Sequence, residues 1–163
     1  MNAGSAPTAA SAPVPTPAPT PLFTNADVTH LVERVESASL PREEWTHAAH
    51  LAFAVALVRR EGPGALDAIR SAILRNNAAR GVLQTPDGGY HETLTRFYVW
   101  AVTRELARLP HDSDLGSAAT HVVAALLDRS IPLGYYSKAR LMSWEARTGW
   151  VSPDMPAMDH ADA

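Results

Sequence analysis

The feature that most constrains this chain is an apolar run of eight residues, Leu51 to Val58, with no polar side chain on any helical face. It lies in a segment that reads as a helix, beginning between Pro41 and Thr46 and ending near Arg60. A helix that is apolar all round is enclosed by other helices. The run therefore demands a central helix with neighbours on every side. It is too short to span a bilayer, which takes about 20 apolar residues.

The rest of the chain supplies those neighbours. A stripe of Val28, Leu31, Val32 and Val35 predicts a helix over 26–37, with Asn25 as its cap. Gly62-Pro63-Gly64 stops the central helix, and Leu66, Ile69 and Ile73 predict the next over 64–80, closed by Gly81. A fourth helix over 90–109 carries Leu94, Phe97, Tyr98, Ala101, Val102 and Leu106, and Pro110 ends it. A fifth over 115–129 is capped at Asp114 or Ser117 and turns Val122, Val123, Leu126 and Leu127 inward. Ile131 to Trp150 reads as two short helical turns capped by Ser137 and Ser143. No strand alternation is present. The expected fold is all-α, a compact bundle of about five helices with a C-terminal cap of short turns.

The chain of 163 residues fits one domain. Residues 1–22 are rich in Pro and Ala and carry no charge, so they are expected to form a disordered tail with too little apolar surface to offset ordering. The helical domain is expected over 23–153, with a frayed tail over 154–163. The N-terminal segment lacks the basic start and continuous apolar core of a secretory signal. The absence of cysteine excludes disulfides, Cys-ligated zinc and thiol nucleophiles. A net charge of −3 argues against non-specific nucleic-acid binding. Neither a nucleic-acid nor a membrane partner is expected, and the default location is the cytoplasm.

Three histidines carry the functional argument. His47 and His50 lie in Trp45-Thr46-His47-Ala48-Ala49-His50-Leu51; His91 lies in Gly88-Gly89-Tyr90-His91-Glu92-Thr93-Leu94-Thr95-Arg96. Short connections make successive helices antiparallel, so the starts of the second and fourth helices should share one end of the bundle. His47 and His50, three residues apart, share a helix face with Cβ atoms about 5–6 Å apart. A helix N-terminus disfavours imidazolium, and neutral imidazole is the form that binds metal or accepts a proton.

The leading reading is a small metal-dependent enzyme, a hydrolase, lyase or oxygenase. His47, His50 and His91 would hold a divalent ion, Zn or Fe, with an open position for water or substrate. Glu92 would be the fourth ligand or the general base. Tyr90, Thr95, Arg96 and Tyr136 would contact a small anionic substrate, and the loop 84–89 would act as a lid.

Other motifs are excluded. The zinc-protease helix needs H-E-x-x-H, and position 95 is Thr. Glu44 and His47 match E-x-x-H once, whereas a di-iron bundle needs two copies. G-x-S-x-G, P-loop and dinucleotide fingerprints are absent.

Plainer roles also fit. Glu92 suits a helix first turn or a pair with Arg96, Thr95 can bond back within its helix, and Tyr90 can simply pack. Two alternatives follow. One is a metal-free module that binds a small molecule or an anion at two helix N-termini. The other is a helical interaction protein docking through Trp144 and Trp150. A homo-oligomer is compatible with each.

The same motifs, with Asn76-Asn77-Ala78, Thr85-Pro86 and Tyr136-Ser137-x-x-Arg140-Leu141, resemble a group of small uncharacterised bacterial helical proteins. The resemblance covers about residues 40–153, and Gly-Tyr-His-Glu-Thr is its most distinctive part. It implies an all-helical domain and no particular reaction.

Overall fold

The computed structural model describes residues 22–155, so the expected tails, residues 1–21 and 156–163, lie outside the described residues. The apolar run forms the middle of α2 (His47–Glu61), which packs against α1 (Asn25–Glu36), α3 (Ala65–Ala79), α4 (Glu92–Ala107) and α5 (Leu115–Leu126). Leu51, Ala52, Phe53, Ala54, Val55 and Leu57 of α2 are buried. This is the central helix that the sequence demands. Two short helices, α6 (Lys138–Leu141) and α7 (Trp144–Thr148), complete an all-α fold. Among the described residues no strand forms, and no helix is long and apolar enough to cross a membrane.

Helix starts follow side-chain chemistry. Thr24, not Asn25, caps α1: its hydroxyl accepts from Asp27 N–H, and the Asp27 carboxylate reaches back to Thr24 N–H. Asn25 is used between helices instead, where its Oδ1 accepts from Gly116 N–H at 2.6 Å. Gly116 is required there. A Cβ would sit 2.6 Å from Phe23 O and from Thr24 C, so the α1 entry lies directly on the start of α5. Residues Arg42–Glu44 form a separate 3-10 turn, and Thr46 caps α2 by accepting from Ala49 N–H.

The C-terminal segment is fastened to α4. The buried Thr93 hydroxyl donates to Gly149 O at 2.8 Å and accepts from Val151 N–H at 3.1 Å. Ser137 and Ser143 cap α6 and α7. Asp154 accepts from Ser137 N–H and Oγ–H, and Met155 N–H donates to Tyr135 O. The bonded structure thus continues two residues past the expected domain end at Pro153.

Candidate functional site

Three helices present matching faces to one cavity of about 440 Å³. From α2 come His47, His50, Leu51 and Ala54, at spacings that repeat on one helical face. From the start of α4 come His91, Leu94, Thr95 and Tyr98, at the same spacings. Ile69 and Ile73 of α3 add a third wall. Leu133, Leu141 and Met142 close it from the C-terminal segment. The inner residues Leu51, Phe53, Ile69 and Leu141 are buried, whereas Arg129, Leu133, Lys138 and Met142 are exposed at the rim. The three sequence-singled histidines therefore do line one cavity.

Their ring nitrogens, however, are directed to the backbone. Nε2 of His47 lies 3.0 Å from Leu126 O, so it must carry the proton and donate. Nδ1–H of His50 donates to Thr46 O at 2.7 Å, one turn back. His91 uses both nitrogens: Nε2–H donates to Leu141 O at 2.9 Å, and Nδ1 accepts from Leu94 N–H at 3.3 Å. His91 is thus the N-cap of α4, a role it fills only when neutral. Free lone pairs remain on His47 Nδ1 and His50 Nε2.

A metal centre of the expected kind is not assembled. Among the described residues no three or more His, Asp or Glu side chains come together to hold an ion. The physical reason is that His91 cannot ligate Zn or Fe through either nitrogen without giving up its cap or its bond to Leu141. The expected fourth ligand, Glu92, is absent from the cavity wall. Arg70 donates to both Glu92 oxygens at 2.9 and 2.6 Å, and Tyr90 O–H donates at 2.7 Å. Arg96 Nε lies 3.0 Å away. The Arg70 hydrogen bonds hold the Glu92 carboxyl below the usual carboxylate range, against the opposing effect of burial.

The expected substrate contacts divide. Tyr90 and Thr95 line the cavity. The Tyr90 phenol is raised to about 12, mainly by burial, and Thr95 O–H is bonded back to His91 O at 2.9 Å. Arg96 and Tyr136 are not part of the lining. Arg96 faces Glu92 and lies over the Trp150 ring at 5.6 Å. Tyr136 is a core side chain whose O–H donates to Val151 O at 3.2 Å. At the two helix N-termini, Thr46 accepts from Ala49 N–H and His91 from Leu94 N–H, so each cap takes one of the first-turn donors.

The loop 84–89 is clasped rather than poised as a lid. Arg147 donates from Nε to Pro86 O and from NH1 to Gly88 O. The Gln84 amide pairs with both backbone groups of Tyr90. Gly89 has φ +88°, and a Cβ there would lie 2.5 Å from Gln84 Oε1. Of this loop only Gly89 reaches the cavity.

Sequence reasoning overlooked Tyr98, Arg129 and Lys138, all in the lining. Tyr98 was within reach of it, because it lies one helical turn beyond Leu94 on the histidine face. Arg129 follows the end of α5 and Lys138 opens the four-residue α6, so neither carries a periodic signal.

The electrostatics favour neutral imidazoles. Burial lowers the pKa of all three histidines, and that of His50 falls to about 4. Trp45 stacks on the His50 ring, with centroids 3.8 Å apart. His47 meets Tyr98 edge-on at 5.1 Å. A general base is most effective with a pKa near the working pH. His50 is too acidic for that, and beside its apolar surface the cavity offers imidazole acceptors, the Tyr98 hydroxyl and the rim cations Arg129 and Lys138. Compared with protein-family models, curated proteins and solved structures, the chain matches none.

Proposed function

We propose that the protein is a metal-free binding module for a small, largely apolar organic molecule, held in the cavity between α2, α3 and α4. One observation carries this reading: each histidine at the cavity has committed an N–H to a backbone carbonyl, which leaves an apolar chamber rather than a ligand set. The chamber's volume falls within the roughly 300–1,000 Å³ of small-molecule sites. Its polar contributions are few: the lone pairs of His47 and His50, the Tyr98 hydroxyl, and the cations Arg129 and Lys138 at the rim. Convergent polar groups in an apolar cleft orient a ligand without needing to react with it.

The test is uptake of a neutral apolar fluorophore, N-phenyl-1-naphthylamine, by the intact protein. Saturable binding is expected, and Ala54→Leu, which adds volume to the lining, abolishes it while the helical circular dichroism persists. Failure of the probe to bind refutes the reading. So does stoichiometric zinc uptake by untagged protein that disappears in His91→Ala.

A further inference from the structure

We propose that the natural ligand is an amphipathic organic acid, with its carboxylate at Arg129 and Lys138 on the rim and its apolar body against Leu51, Ile69 and Leu141. This rests on the reading of the cavity as a small-molecule site and adds the class and direction of the ligand. The first argument is charge. The lining contains the cations Arg129 and Lys138 and no carboxylate. Two acids stand nearby but outside the lining: Asp128 accepts from Ser130 N–H and Asp154 from Ser137, and the Asp128 charge opposes that of Arg129 at Tyr98. Other arginines close to the cavity are also tied, Arg70 and Arg96 to Glu92 and Arg147 to the loop carbonyls. Arg129 and Lys138 form no ion pair or side-chain hydrogen bond among the described residues.

The second argument is direction. Deeper in the cavity the free imidazole nitrogens, His47 Nδ1 and His50 Nε2, present lone pairs rather than N–H groups, given the bonds their other nitrogens make. A carboxylate pushed inward would face those acceptors and lose its water without gaining donors. At the rim it keeps water on one side and gains two cationic donors. Arg129 is exposed at the rim and lines the opening, close enough for its charge to be felt at His47, His50 and Tyr98. The inner wall of buried Leu and Ile side chains then takes the apolar part.

Three ligands of equal chain length separate the possibilities: decanoate, decan-1-ol and decylammonium, each below its micelle-forming concentration. Each is titrated against the naphthylamine probe at about pH 7.5 in low salt. Decanoate is expected to bind at least about tenfold tighter than decan-1-ol, as one charge-assisted contact would provide. The double variant Arg129→Gln/Lys138→Gln should erase that preference while the naphthylamine probe still binds saturably, which also shows that the cavity remains intact. About 0.5 M salt should narrow the preference in the wild type. If decan-1-ol or decylammonium binds as tightly as decanoate, the acid proposal falls while the cavity reading stands. If none of the three displaces a probe that binds, the acid proposal falls alone; if the probe itself does not bind, both fall.

Discussion

Acidification from about pH 7.5 to 5 should weaken the fold, and His50 should account for a separable part of the loss. Its ring lies under Trp45 and donates through Nδ1 to Thr46 O, and burial lowers its pKa from 6.5 to about 4. The sign follows from linkage. In the unfolded chain His50 takes a proton near 6.5, whereas the folded protein refuses it until about 4. The stabilisation is complete above the unfolded value, falls as pH drops between the two, and is gone below about 4. The whole span corresponds to about 3 kcal/mol, of which about 2 kcal/mol is lost by pH 5. Stopping at pH 5 keeps most carboxylate titration out of the window, because the perturbed acids Glu44, Glu92 and Asp154 are all held low. The comparison is His50→Asn, whose side-chain amide still donates to Thr46 O but does not titrate in this range. Urea unfolding at several pH values gives both stabilities by linear extrapolation. Wild type should lose about 2 kcal/mol more than the variant between pH 7.5 and 5. A variant whose stability declines as steeply as wild type would show that His50 is not held neutral by its surroundings.

Three further outcomes are expected. Glu92→Gln removes the anion shared by Arg70 and Arg96 and should cost about 1–3 kcal/mol in urea unfolding, discounted because both arginines are partly exposed. It should leave probe affinity unchanged, and a large affinity loss would contradict the placement of Glu92 outside the cavity. Gly89→Ala forces a side chain onto φ +88° and into contact with the Gln84 amide. It should cost on the order of 1–3 kcal/mol, and a neutral result would disprove the clasp around Tyr90. Arg147→Met releases Pro86 O and Gly88 O, so limited proteolysis should become faster within 83–88 while the helices stay protected.

Much of the fold was legible because it depends on near neighbours in the chain. The run at Leu51–Val58 specified a buried central helix, and Asp114, Ser137 and Ser143 announced helix starts with their own side chains. The shared cavity of His47, His50 and His91 was also legible, through short connections and helical spacing. The chemistry of those rings was not. What decides it is a carbonyl 79 residues from His47 and another 50 residues from His91. No local pattern encodes such partners. Glu92 is similar, since its main partner Arg70 lies 22 residues away on another helix. Tyr136 shows the converse. A tyrosine beside a polar site invites a ligand contact, yet the ring is core and one carbonyl, Val151 O, satisfies its hydroxyl.

The fastening between α4 and the C-terminal segment has a consequence for how the molecule opens. Thr93 grips Gly149 across 56 residues, and Arg147 on that same segment grips Pro86 across 61. Each tie holds the element that bears the other, so neither can be loosened alone at low energy. Amide hydrogens of Gly88 and Tyr90 should therefore exchange in step with that of Val151, as one cooperative unit, despite their distance along the chain. The join between the 84–89 loop, α4 and the C-terminal segment then behaves as a buckle: it is shut or undone, with no half-fastened state.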